Sequence, residues 1–253
     1  MRGIIFSATG ERYIAAALKA ASQSLRLNPV PHAVFCSCPA EAEGIRTIAF
    51  ESAGNPHIDK ISNIAASPYD ETIYLDVDCA AVEQFTELFD LLTYYDLAAA
   101  HAPGYRGIAD PEVPVSFYEI NTGVLVYRLN AAVSAMFREW RATYQEWLEN
   151  PPFDGADGRV LGQDQPAFRR CLWRSKIPLY VLAPEYNWRF LVPSFLCRKV
   201  KIIHGFVTDA NAVAAKVNEL PLRARVYPAL ATGYGINSEV DGAQIIDALN
   251  LLG

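Results

Sequence analysis

The chain has 253 residues, 51% of them hydrophobic and 20% charged. At roughly 150 residues per domain this is one large domain or two small ones, with enough apolar content to exclude a disordered chain. The 22 basic and 28 acidic side chains give a formal charge of −6, which excludes a generic nucleic-acid or anionic-membrane binder. The five cysteines form no C-x-x-C pair, and Cys36-Ser37-Cys38 is too tight for zinc spacing. Free buried thiols in a reducing, cytoplasmic setting are the simplest account. No apolar run reaches the ~18 residues of a membrane-spanning helix, and Met1–Phe6 has no signal-peptide core.

In chain order, Gly3–Ala8 reads as a short buried strand and Glu11–Leu27 as a helix ended by Pro29. Apolar runs at His32–Cys38 and Ile45–Phe50 read as two further strands. This alternation predicts a parallel, helix-covered sheet. The turn residues Ser67-Pro68-Tyr69-Asp70 precede the strongest strand, Thr72–Leu75, which runs into Asp76-Val77-Asp78. Val82–Tyr95 has Phe85, Leu88, Phe89 and Leu92 at helical spacing. Leu97–Ala100 reads as a strand, Gly104–Val115 as a loop, Gly123–Tyr127 as a strand and Ala131–Glu149 as an amphipathic helix. Asn150–Gly162 is loop-like, and Gln163–Trp173 begins another helix. Leu179–Leu182 and Lys201–His204 are late strands, and Ala212–Leu220 is a candidate helix. No repeat or low-complexity linker divides the chain, so 1–253 is read as one domain.

Asp76 and Asp78 carry the clearest chemistry. Residues i and i+2 of a strand share a face, and two like charges there repel unless a cation neutralises them. The carboxyl ends of parallel strands are also where open α/β sheets bind ligands. The pair therefore points to a hard divalent cation of the Mg²⁺ or Mn²⁺ type, shared with substrate phosphates. The alternatives are a solvated turn ending the strand, or an aspartate nucleophile of a phosphotransferase. The second is disfavoured because at least three strands precede the pair.

The stretch Ser67–Asp78 as a whole resembles the signature of the family 8 glycosyltransferases, the glycogenin-like and lipopolysaccharide galactosyltransferase-like enzymes. Further blocks fall in that family's order between about Ile4 and His204. The resemblance implies an α/β, type A glycosyltransferase fold: a Rossmann-like, mostly parallel sheet flanked by helices. It implies a nucleotide-binding half over 1–100 and an acceptor and catalytic half over 101–210, with no role implied for 211–253. Phe6-Ser7-Ala8-Thr9 with Tyr13 matches the block that holds the base and ribose, with Asp76 and Val77 on the same nucleotide. Lys60 matches a basic residue reaching the nucleotide and donor sugar.

Ile120-Asn121-Thr122-Gly123-Val124 resembles the F-N-[AS]-G-V block, with Glu119-Ile120 replacing the usual aromatic. Asn121 is implied to contact sugar hydroxyls, and Gly123 to let the backbone approach a ligand. Gly162-Gln163-Asp164-Gln165 resembles the helix-start motif at the reacting carbon: Asp164 accepts from a sugar hydroxyl, and the Gln165 amide oxygen stabilises positive charge. His204 is implied to complete the metal site with Asp76 and Asp78, and an imidazole favours Mn²⁺ over Mg²⁺. The family's H-x-x-G-x-K-P-W lysine has no counterpart after His204, which leaves the metal or Lys201 to meet the diphosphate. Leu182–Arg189 resembles the L-P-x-x-Y-N block, with Asn187 as an acceptor-side contact. Trp188 reads as a sugar platform, Trp140, Trp147 and Trp173 as core, and His101 as a residue beside the donor pocket.

The implied reaction is retaining transfer of a sugar from a nucleoside diphosphate sugar, a UDP-sugar, to a carbohydrate or other hydroxyl acceptor, with catalytic roles for Asn121, Asp164 and Gln165. The alternative that keeps the resemblance is a non-catalytic sugar-nucleotide binding module, motivated by the missing K-P-W. The loop from Gly104 to Val115 and the tail are the expected acceptor determinants.

Overall fold

The computed structural model describes residues 1–102, 110–152, 162–219, 224–230 and 238–252. Half of the loop expected over Gly104–Val115, most of that over Asn150–Gly162, and part of the tail lie outside these residues. The described part is an α/β fold: a seven-stranded, mostly parallel sheet flanked by helices.

The sheet contains β1 (Arg2–Ala8), β2 (His32–Cys36), β3 (Arg46–Ala49), β4 (Glu71–Leu75), β6 (Leu97–His101), β7 (Ile120–Arg128) and β8 (Leu179–Leu182), in the order β3-β2-β1-β4-β7-β6-β8. The pairs β3-β2, β2-β1, β1-β4 and β6-β8 are parallel; β7 runs antiparallel to both β4 and β6. The order reverses direction between β1 and β4, and such a switch point opens a crevice at the carboxyl ends of the strands.

Helices cover both faces, which is why the central strands read as continuous apolar runs rather than alternating ones. On one face Ile4, Phe6, Ile73 and Leu75 pack against α1 (Glu11–Leu27) and against Phe85, Leu88, Phe89 and Leu92. On the other, Ile5, Tyr74, Leu125 and Tyr127 pack against α2 (Pro56–Ala65), α3 (Ala131–Glu149) and α4 (Gln165–Ser175). A third cluster holds Trp188, Phe190, Ile203, Val213, Ile245 and Leu249. It joins the helices Ala210–Glu219 and Gly242–Leu252 to the short pair β9 (Ser194–Leu196) and β11 (Arg225–Tyr227).

Three readings change. Val82–Tyr95 is not one α-helix: Cys79–Ala81 forms a short strand, β5, and only Thr86–Thr93 is helical, as a 3₁₀-helix. Its entry is fixed by the Phe85 N–H donating to Asn28 Oδ1 at 2.8 Å. Helix α2 had not been expected. It starts on Asn55, whose side chain accepts from the His57 and Ile58 N–H groups, with Pro56 in its first turn, a strong N-terminal signal. The five cysteines are free as expected, but Cys38 is only half-buried and Cys197 is exposed. Among the described residues no helix is long and apolar enough to cross a membrane.

Candidate functional site

The site forms where β4 ends. The Asp76 N–H donates to the Gly123 carbonyl at 2.8 Å, and the Cys79 N–H closes a turn onto the Asp76 carbonyl at 3.0 Å. Strand β5 then pairs antiparallel with β10 (Ile202–His204), in a register that sets His204 opposite Cys79. Gly205, at φ 128° in the region that favours glycine, turns the chain immediately after and donates its N–H to the Asp78 carbonyl at 3.1 Å. This nonlocal pairing carries the imidazole to the two acids. His204 Nε2 lies 3.5 Å from Asp78 Oδ1 and 3.9 Å from Asp76 Oδ2.

Gly123 is needed here for a reason other than ligand approach. A Cβ on it would overlap His204 Cε1 and stand 2.8 Å from Nδ1 and 2.9 Å from Asp76 Oδ2. The group that comes close to the backbone is the imidazole.

The electrostatics of the three groups differ. Burial pushes the Asp76 carboxyl up, but Lys60 and His204 outweigh it and hold the acid below its ordinary range. For Asp78, burial and the charge of Asp76 win over His204 and push the carboxyl up. Burial lowers His204, so the imidazole is held neutral, the form that ligates metals.

These residues fit a divalent cation. Distances of 3.5 and 3.9 Å are too long for hydrogen bonds. They fall between the edge and the diagonal of an octahedron around an ion with ~2.1 Å bonds, roughly 3 and 4.2 Å. Ligand atoms of Asp78, Cys79 and His204 also lie within 4.8 Å of one another. The Cys79 thiol, however, points at the Gly123 carbonyl at 3.6 Å, and burial raises it far above the range where a thiolate forms. Asp76 is the better third ligand.

Lys60 is buried at the centre of an acid cluster. Its ammonium lies 3.1 Å from Asp76 Oδ1 and 3.2 Å from Asp164 Oδ2, and donates to Thr122 Oγ1 at 3.1 Å. Burial opposes its charge, but the two acids together raise it above the ordinary lysine value. The Tyr74 hydroxyl donates to Asp76 Oδ1 at 2.5 Å. Lys60 thus ties the two aspartate motifs together and also lines the cleft at Asp76. Asp164 makes no helix-capping bond; its carboxylate accepts from Thr122 Oγ1 at 3.1–3.2 Å.

Ser7, Ala8, Thr9, Tyr13, Lys60, Asp76, Val77, Asp78 and His204 line one cleft of about 230 Å³. It opens at the carboxyl ends of β1 and β4. Two residues that the sequence reading missed hold lining side chains of the cleft in place. Asp59 accepts from Thr9 Oγ1 at 2.9 Å, from Ser52 Oγ at 2.6 Å and from the Ala53 N–H at 2.8 Å. Asn63 donates to Ser7 Oγ at 2.9 Å. Both sit on α2, so missing the helix meant missing them. Asn121, Asp164 and Gln165 are buried. The Asn121 amide donates to Gln165 Oε1 at 2.7 Å, so the glutamine oxygen assigned to a reacting carbon is already engaged by the protein.

Four other expectations are corrected. Trp188 is fully buried and donates to Ser194 Oγ at 3.1 Å, so it offers no sugar platform. Trp173 is 43% exposed rather than core, while Trp140 and Trp147 are buried. Lys201 is paired with Glu87 near Tyr186 and is not among the residues lining the cleft at Asp76. His101 borders a separate apolar cavity with Leu182, Trp188 and Phe195, not the cleft at Asp76.

Glu119, which immediately precedes β7, is 7% exposed, and its Oε1 has no hydrogen-bond partner among the described residues. Burial, reinforced by Asp164 and Asp110 against Arg169, pushes its carboxyl up to about 7. A raised carboxyl stabilises the fold only while protonated, so stability is full below the unfolded value near 4.5 and is lost as pH rises to about 7. Glu119→Gln removes that loss. Denaturant melts are expected to show the variant gaining on the wild type across this window, by roughly 3 kcal/mol once complete. Parallel pH profiles for the two proteins would contradict the assignment.

No protein-family model matches the chain, and no curated protein matches it. Among solved structures, it is similar to a crystal structure of an active-site mutant of LgtC, at 20% identity and a TM-score of 0.47, covering 74% of this chain and 75% of that one.

Proposed function

We propose that the chain is a metal-dependent glycosyltransferase that moves a sugar from a nucleoside diphosphate sugar, a UDP-sugar, to a hydroxyl acceptor with retention. The convergence of Asp76, Asp78 and His204 at the mouth of a cleft walled by Ser7, Thr9 and Tyr13 carries this reading. The three residues are the holders of a divalent cation, Mn²⁺ before Mg²⁺ because one ligand is an imidazole. Such an ion supplies neutralisation of the charge that grows on a leaving diphosphate.

The chain's own residues do the rest. Tyr13 offers the base a stacking face, and the small Ser7 and Ala8 let it approach the backbone. Asp59 fixes the Thr9 hydroxyl, and Lys60 fixes the Asp164 carboxylate, which orients the donor sugar by accepting from its hydroxyls. The acceptor hydroxyl attacks on the face the diphosphate leaves, and the departing phosphate oxygen takes its proton. On the diphosphate side, Arg12 borders the cavity adjoining Asp78.

The pairing of Lys201 with Glu87 favours a second reading, a module that binds the sugar nucleotide without turning it over. Calorimetry with UDP and Mn²⁺, alongside a UDP-release assay over a panel of UDP-sugars, separates the two. The transferase reading expects Mn²⁺-dependent affinity together with release. Affinity without release supports the binding module, and no affinity for any nucleotide defeats both.

A further inference from the structure

We infer that Asn187, oriented by Asn121, is a positioning residue that holds the His204 imidazole with its proton on Nδ1 and its Nε2 lone pair facing Asp76 and Asp78. This rests on reading those three groups as a cation site.

The argument begins at a group with no freedom. The Gly123 N–H can only donate, and its partner at 3.0 Å is the Asn121 side chain. That atom is therefore the amide oxygen, and the orientation of Asn121 follows from the backbone rather than from choice. The same Oδ1 is contacted at 2.8 Å by the Asn187 amide. An atom facing an acceptor must donate, so Asn187 presents Nδ2 there. Its remaining atom is the oxygen, 2.7 Å from His204 Nδ1. That oxygen only accepts, so Nδ1 carries the imidazole proton. Each step fixes the next, and the chain leaves one outcome at Nε2: an unprotonated nitrogen.

The backbone enforces the alignment. The His204 N–H donates to the Trp188 carbonyl at 2.8 Å, and the Trp188 N–H to the Ile202 carbonyl at 2.9 Å, so Asn187 is carried alongside β10. Asn121 and Asn187 are 4% and 5% exposed, so water does not compete for these bonds.

The arrangement is costly without a cation. A neutral imidazole beside two carboxylates is better off with a proton on Nε2, donating to one of them. The relay instead aims a lone pair at two acids, an orientation that becomes favourable when a positive ion stands between them. A residue bonded to the far nitrogen of a ligating histidine fixes its tautomer, and removing such a partner typically costs 10- to 100-fold in metal affinity.

The test reads the tautomer directly. Histidine ¹⁵N NMR of the metal-free protein at neutral pH is expected to show His204 protonated at Nδ1 and bare at Nε2. In Asn187→Leu the proton moves to Nε2, and Mn²⁺ affinity by calorimetry falls 10- to 100-fold. Asn121→Asp still accepts from Gly123 and Asn187, with the Gln165 amide turned to donate to it, so it keeps the wild-type tautomer; this arm stands even if Asn187→Leu fails to fold. Wild-type His204 protonated at Nε2, or an unchanged tautomer in Asn187→Leu, overturns the relay whatever the cation affinity. The expected tautomer with no Mn²⁺ binding upholds the relay and overturns the cation reading instead.

Discussion

Asp78→Ala is expected to lower Mn²⁺-dependent UDP-sugar turnover by at least about 100-fold, the scale of losing a principal electrostatic contact to a leaving group. It is also expected to leave the metal-free protein as stable as the wild type or more so. The sign follows from the environment. Burial and Asp76 raise the Asp78 carboxyl, and an acid raised in the folded state contributes stability below its unfolded pKa and loses it as pH rises through the folded value. At neutral pH, without a cation, the ionised group is therefore a burden that alanine removes. Thermal melts with and without Mn²⁺ show both halves: the wild type gains on adding metal, and the variant gains little. A variant that keeps turnover, or that melts well below the wild type without metal, contradicts the role.

Lys60→Met is expected to destabilise the protein by about 3–5 kcal/mol at neutral pH, the range for removing one partner of a buried ion pair. Lys60 stands between Asp76 and Asp164, and the change strands two carboxylates. Asp76 is held below its ordinary value, so its contribution is present above the unfolded pKa and lost as pH falls through the folded one. The gap between Lys60→Met and the wild type should accordingly narrow as pH drops through that range. Chemical denaturation at neutral and acidic pH measures it. If Lys60 were chiefly a nucleotide contact, the variant would lose UDP affinity and keep its stability.

The parts legible in the sequence are those set by local chemistry. Ile73-Tyr74-Leu75 is apolar because the strand is buried on both faces, and an acid pair at its end has few explanations. Helix α3 appears at its observed bounds because Phe137, Trp140 and Tyr144 repeat at helical spacing on a buried stripe. The failures are nonlocal. Strand β10 is legible as the apolar run Lys201–His204, but β5 has only three residues, too few for a periodic signal, and the pairing of the two that brings His204 to Asp78 cannot be read from either. The spacing of Phe85, Leu88, Phe89 and Leu92 suits a helix, yet the chain before Phe85 is drawn into β5 and a 3₁₀ segment buries the same side chains.

The site shows the same division. Asp76, Asp78 and Tyr13 were readable as residue types. The partners of Lys60, Asn121 and Asn187 were not, because a buried amide or ammonium takes whichever acceptor tertiary packing puts within 3 Å. Asn55-Pro56 could have revealed α2, and with it Asp59 and Asn63, since Ile58, Ile61 and Ile64 follow at helical spacing.

An anomalous-difference map from a crystal grown with Mn²⁺ and UDP tests the central claim most directly. The account predicts one strong peak, roughly 2 Å from carboxylate oxygens of Asp76 and Asp78 and from His204 Nε2, with the diphosphate on its open side. A peak elsewhere, or an ion at the two acids with the imidazole turned away, would contradict it.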